Sequence, residues 1–138
     1  DKRLLKIFAE ALKNLDIKFA WIVNSEDGLD EVSPYAKTNV VQLKDGKISE
    51  ITIDPNKLNI GANKIDDLLG DDAEFNARKM VDIFKGKDCD FSKAVCLNAA
   101  AGLIIAEKHS SFSDAYKDAR KHILSGKTYK NLKRIQNV

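Results

Sequence analysis

Five successive apolar residues, Phe19-Ala20-Trp21-Ile22-Val23, leave no polar face on whatever they form. A run this short and uninterrupted reads as a strand covered on both sides, as in a parallel sheet. Such a strand needs strands beside it, and the rest of the chain offers only a hairpin. From Asn39 to Leu43 and from Ile48 to Ile53 β-branched residues dominate, with Asp45-Gly46 between them as a two-residue turn. That pair reads as an antiparallel excursion, closed by Asp54-Pro55 because proline cannot continue the ladder. The strands that would flank Phe19–Val23 are therefore expected upstream of Asp1. With no initiator methionine, the 138 residues read as the closing part of a longer α/β protein, helix-rich, with one buried strand and one hairpin.

The remaining sequence is helical. Leu5, Phe8, Leu12 and Leu15 recur at helical spacing with charges between them, predicting an amphipathic helix over about 2–15 that covers the sheet. A linker-like stretch runs from Asn56 to Asn63, and a short helix is expected from Ile65 to Leu69. Asp71 is placed to cap the next helix, with Glu74 completing a capping box and Gly86 lying past its end. From Ala94 to Ala106 only Asn98 is polar, and about 13 residues fall short of the ~20 that cross a bilayer. This segment should be a buried helix. Its Ala99-Ala100-Ala101-Gly102 stretch lets a neighbouring backbone approach, and Asn98 needs a buried partner. Ser111 with Asp114 opens another helix, ended by Ser125-Gly126, and a last one carries Tyr129, Leu132 and Ile135.

Composition removes several classes of function. Hydrophobic residues at 43% and charged residues at 32% are those of a folding chain, not a disordered one. The net charge of +2 comes from 23 basic and 21 acidic residues that are interspersed, so no broad positive field for nucleic acid arises. Lys127, Lys130, Lys133 and Arg134 read as a solvated helix face. Two cysteines make no disulfide framework, which points to a reducing cytoplasm. Cys96 should be inert packing and Cys89 exposed. His109 and His122 have no cysteine or histidine at metal-ligand spacing and read as structural, His109 beside a helix dipole.

Chemistry concentrates in the loop after the apolar run, Glu26-Asp27-Gly28-Leu29-Asp30-Glu31-Val32-Ser33. Ligands of open α/β sheets sit at the carboxyl ends of strands. Neighbouring side chains on a regular strand point to opposite faces, so Asp30 and Glu31 converge on one ion only if the backbone turns, and Gly28 makes that turn cheap. Paired carboxylates suit Mg²⁺, which takes one or two of them and completes its shell with water and phosphate oxygens. Four acids in six residues are equally the composition of a solvated surface loop, and composition leaves both readings open.

The run Asp27-Gly28-Leu29-Asp30-Glu31-Val32-Ser33 resembles the Asp-Gly-Leu-Asp-Glu motif of anthranilate phosphoribosyltransferases, which also follows a hydrophobic strand. Gly70 to Ala77 is similar to the family's Gly-Gly-x-x-x-Glu-Asn-Ala pattern, keeping Gly70, Asn76 and Ala77 but not its second glycine or its glutamate. Leu97-Asn98-Ala99-Ala100, Ser111-Phe112-Ser113-Asp114, Ala119-Arg120 and Ser125-Gly126-Lys127 follow at the family's spacing. The likeness runs from about Leu4 to Ile135 and corresponds to the C-terminal part of the family's α/β domain, a nucleoside-phosphorylase/phosphoribosyltransferase-type fold. It lacks the N-terminal helical domain, the glycine-rich phosphate loop and the arginine-bearing anthranilate segment.

The resemblance implies Asp30 and Glu31 as ligands of a magnesium ion bridging to phosphoribosyl pyrophosphate. It implies transfer of the phosphoribosyl group to anthranilate in tryptophan synthesis, an intact homodimer, and no activity for these 138 residues alone. Asn76 and Asn98 read as amides that tie backbone together. Asn24-Ser25 stands where many members have His-Gly. That departure keeps open a non-catalytic or nucleic-acid-binding homologue of the same fold. A nucleoside phosphorylase matches the C-terminal motifs poorly.

Overall fold

The computed structural model describes residues 1–60 and 68–137. The apolar run lies within β1 (Phe19–Ser25), and β2 (Thr38–Lys44) and β3 (Lys47–Ile53) complete a three-stranded sheet in the order β1-β2-β3. Both pairings are antiparallel, with Val23 opposite Val40 and Val40 opposite Ile51. β1 thus has an antiparallel neighbour within the chain, where the sequence predicts flanking strands only upstream. Five apolar residues in succession demand cover on two faces, whichever way the neighbours run. Trp21 and Val23 meet that demand on one face and Ile22 on the other.

Residues 19–24 are nonetheless only half-buried, because β1 is an outer strand of the described sheet. The central place belongs to β2, where Val40, Val41 and Leu43 are buried. Among the described residues the hairpin therefore supplies two of the sheet's three strands, including the central one. Its turn is as the sequence predicts: Asp45 and Gly46 both take positive φ, 48° and 74°, the sign of a type I′ turn.

One face is covered by α1 (Leu5–Asn14), entered through a 3-10 turn at Lys2–Leu4 that Asp1 caps. Leu5 and Ala9 bury against Val41, flanked by Ile22 and Ile48, and Lys6 reaches Glu50 of β3 at 2.6 Å. The predicted stripe is rotated. Phe8 is 54% and Leu15 70% exposed, since the sheet meets the helix along Leu5 and Ala9.

The other face is covered by α3 (Asp90–Ile105) and α4 (Phe112–Leu124). Cys96, Leu97, Ala100 and Ala101 of α3 share a core with Ala115, Tyr116, Ala119 and Ile123 of α4 and with Val40 and Ile53 of the sheet. Trp21 stacks on Phe112 with centroids 5.9 Å apart and donates from Nε1 to Gln42 at 2.9 Å. Burial of α3 is one-sided, which corrects the buried-helix reading. Val95, Ala99 and Gly102 face outward, and a Cβ at Gly102 would meet nothing within 4 Å.

The rim is made by α2 (Ala73–Phe84), which buries Ile83, and α5 (Lys127–Gln136), which buries no residue. The cap of α2 is Asp72, whose side chain accepts from Phe75 N at 2.7 Å, so Glu74 completes no capping box. Asp71 is instead gripped by Asn76, which donates to its carbonyl at 2.8 Å and accepts from its N–H at 3.2 Å. A Cβ on Gly70 would stand 2.7 Å from that amide oxygen, a physical reason for glycine there. Overlapping the start of the expected linker, Pro55–Leu58 forms a 3-10 turn capped by Asp54. The helix expected over 65–69 falls mostly on residues 61–67, outside the described residues.

Cys89 is half-buried as the N-cap of α3, not exposed as the sequence suggests, since a capping residue is drawn against its own first turn. Cys96 is fully buried, and burial pushes its thiol up to about 11. A maleimide at pH 8 should therefore modify Cys96 only as fast as the protein opens. Rapid labelling of Cys96 in the native state would contradict the packing described. No described helix is long and apolar enough to cross a membrane.

Candidate metal site

The loop that returns β1 to β2 spans residues 26–37 and is built by its backbone first. Ser25 N donates to Leu29 O at 2.9 Å and Gly28 N to Ser25 O at 3.1 Å, closing a tight reversal. Gly28 sits at φ 93°, a conformation closed to most side chains, so the expected glycine bend is present. Glu26 N reaches Lys37 O at 2.9 Å and continues the ladder into the loop.

The loop's acids then separate by role. Burial opposes the charge on Asp27, but hydrogen bonds from the Ser25 and Ser33 hydroxyls and from Leu29 N outweigh it and hold the carboxyl below its usual range. The Ser33 contact is 2.5 Å. Asp27 is thus committed to holding the loop. Ser33 is the hub: its N donates to Thr38 Oγ1 at 3.1 Å, and its Oγ accepts from Tyr35 N at 3.0 Å and Ala36 N at 3.2 Å. Tyr35 donates from its hydroxyl to Asp90, the first residue of α3, at 3.2 Å, and Lys93 pairs with the same carboxyl at 2.6 Å. Val32, Ser33 and Pro34 are buried beneath.

Asp30 and Glu31 remain at the surface of this braced loop. Among the described residues neither carboxylate has a lysine or arginine partner. Glu31 does have an amide partner. Asn98 of α3 donates from Nδ2 to Glu31 Oε2 at 3.2 Å, and the same amide accepts from Val32 N at 2.9 Å. Nδ2 also faces Val32 O at 3.2 Å and Ala94 O at 3.0 Å.

Among the described residues no cluster of three or more histidine, cysteine, aspartate or glutamate side chains could hold an ion unaided. Two accessible, unneutralised carboxylates fit Mg²⁺, which tolerates one or two protein ligands and takes water and phosphate for the rest. Zinc, which wants three or four nitrogen or sulfur donors, they do not fit. The histidines stay apart: His109 meets Asp118 at 3.2 Å, and His122 is exposed in the last turn of α4.

The sequence reads Asn98 as an amide tying backbone together, and it is one. What the sequence does not show is which backbone: the two peptides flanking Val32, 66 residues away from Asn98 along the chain. The brace by Ser33 also escapes that reading, although Ser33-Pro34 in a turn is a legible signal. Of the family positions, Ser111 caps α4, Arg120 pairs with Asp88, and Ser125 bonds its own helix end. These are architectural contacts.

Residues 1–129 match the family model described as the glycosyl transferase family, a/b domain. The chain belongs to that family. Over all 138 residues it is 80% identical to the anthranilate phosphoribosyltransferase of Pelagibacter ubique, covering 42% of that protein. The crystal structure of anthranilate phosphoribosyltransferase from Thermus thermophilus superposes with a TM-score of 0.87 at 29% identity, over 97% of this chain and 39% of that one. The Saccharomyces cerevisiae anthranilate phosphoribosyltransferase in complex with PRPP and Mg follows at a TM-score of 0.85 and 21% identity, over 96% and 39%, a likeness of fold. The helix-rich α/β architecture is thus that of this glycosyl transferase family, and the chain spans about two fifths of the length of the relatives it matches.

Proposed function

We propose that these residues are the magnesium-holding part of an anthranilate phosphoribosyltransferase. The observation that carries the reading is the loop: two adjacent carboxylates, Asp30 and Glu31, stand accessible and without cationic partners on a reversal braced by Asp27, Ser33 and Asn98. The names of relatives at 80% and 36% identity support the same activity, and the yeast neighbour's complex with PRPP and Mg supports the metal.

In the proposed reaction the amine of anthranilate forms a bond to the anomeric carbon of phosphoribosyl pyrophosphate. The bond from that carbon to the pyrophosphate oxygen breaks, the leaving group takes the electron pair, and the amine gives up a proton. Bound magnesium would supply positive charge where the diphosphate accumulates negative charge. The role of Asp30 and Glu31 is to fix that charge in place, and the role of Asp27 and Ser33 is to keep the loop from relaxing. Homodimeric assembly belongs to the same proposal.

The full-length protein should convert anthranilate and phosphoribosyl pyrophosphate to phosphoribosylanthranilate in a reaction that stops on removal of Mg²⁺ with EDTA. The 138 residues alone should show none, because the family's glycine-rich phosphate loop lies outside them. A full-length protein inactive with both substrates and Mg²⁺ would overturn the reading.

A further inference from the structure

Asn98 is the side chain of α3 that reaches the Glu31 carboxylate. We infer that Asn98 is a positioning residue for the metal site: its amide fixes the direction of the Glu31 carboxylate and the peptide behind it, so that Glu31 is presented as a ligand before any ion arrives. The inference rests on the reading of Asp30 and Glu31 as magnesium ligands and adds a residue that reading does not need.

Val32 N can only donate, so its 2.9 Å contact fixes the Asn98 oxygen on that side and directs Nδ2 toward Glu31. Nδ2 carries two protons but faces three acceptors, Glu31 Oε2, Val32 O and Ala94 O, all within 3.2 Å. One proton is therefore shared, and the amide has no spare rotation left. The Val32 carbonyl and N–H are both held by this group, so the peptide after Glu31 is pinned through its N–H and the next peptide through its carbonyl. Asn98 itself stands on α3 beside Leu97, which is fully buried and part of the core. Asp30 has no such restraint among the described residues. The two ligands thus differ: Glu31 is pre-aimed from α3, and Asp30 is free to close on the ion.

Partners that orient a metal ligand typically change metal affinity 10–100-fold when removed. In the full-length enzyme, Asn98→Ala should raise the Mg²⁺ concentration giving half-maximal rate by roughly tenfold or more while kcat at saturating Mg²⁺ falls less. Asn98→Asp separates loop anchoring from ligand aiming, because a carboxylate still accepts from Val32 N but offers Glu31 no proton. It should shift the magnesium requirement at least as far as Asn98→Ala. Joining Asn98→Ala to Glu31→Gln should raise the requirement no further than Glu31→Gln alone, since Asn98 acts through Glu31.

An unchanged magnesium requirement in both Asn98 variants, or losses that simply add in the double variant, would overturn the inference and leave the two ligands standing. A Glu31→Gln enzyme with the parental magnesium requirement would instead overturn the ligand assignment, and this inference with it.

Discussion

On the proposed function, Asp30→Asn in the full-length protein should lower magnesium-dependent turnover by roughly a hundredfold or more, the usual cost of deleting one electrostatic element. A hundredfold corresponds to about 2.7 kcal/mol of barrier. The structure makes this a clean test. Asp30 is exposed and its carboxylate holds no cationic partner among the described residues, so the substitution removes a charge and leaves the loop's scaffold in place. Stability should stay within about 0.5 kcal/mol of the parent, as for surface changes in general. Asp27→Asn is the matching control. Its carboxylate accepts from Ser33 and Leu29, so its loss should loosen the loop and show in the melting temperature as well as the rate. The measurement is kcat against Mg²⁺ concentration, paired with thermal melts. A turnover and magnesium dependence unchanged by Asp30→Asn would reject Asp30 as a ligand.

What the sequence reveals of this molecule follows the range of the interactions involved. Features decided within a few residues are legible. Asp45-Gly46 demands a positive-φ turn and makes one, Ser111 caps α4, and Gly28 bends the acidic loop. Features decided by which surface arrives opposite are not. The apolar run of β1 looks parallel because continuous hydrophobicity reports two-sided cover, and two-sided cover is supplied equally well by α1 on one face and α3 with α4 on the other. Phe8 and Leu15 sit at helical spacing with Leu5, yet Leu5 and Ala9 are the α1 residues buried against the sheet, because periodicity gives a face and not its orientation. The site divides in the same way. The carboxylates and the glycine are contiguous and visible, whereas the grip of Asn98 crosses 66 residues and needs the folded chain to be seen.

The largest expected loss of stability comes from a residue with no side chain. At Gly86 the chain leaves α2 with φ 104°, and a Cβ there would stand 2.7 Å from Leu124 O and 3.3 Å from Leu124 C. Those atoms are backbone at the end of α4 and cannot swing aside as a side-chain tip would. Gly126 offers an internal comparison. It has φ 70°, follows the end of α4 beside the end of α2, and its added Cβ would meet Lys85 O at 3.5 Å, an ordinary contact. Both alanine substitutions incur the left-handed penalty of about 1–2 kcal/mol. Only Gly86→Ala must also push two helix ends apart, bringing its total to roughly 2–4 kcal/mol. Urea denaturation should therefore place the midpoint of Gly86→Ala well below that of Gly126→Ala. Equal midpoints would mean that the close approach of the α2 and α4 ends contributes nothing. In that case α2 would be held to the core by its one buried side chain, Ile83, a single turn away, and not by this joint.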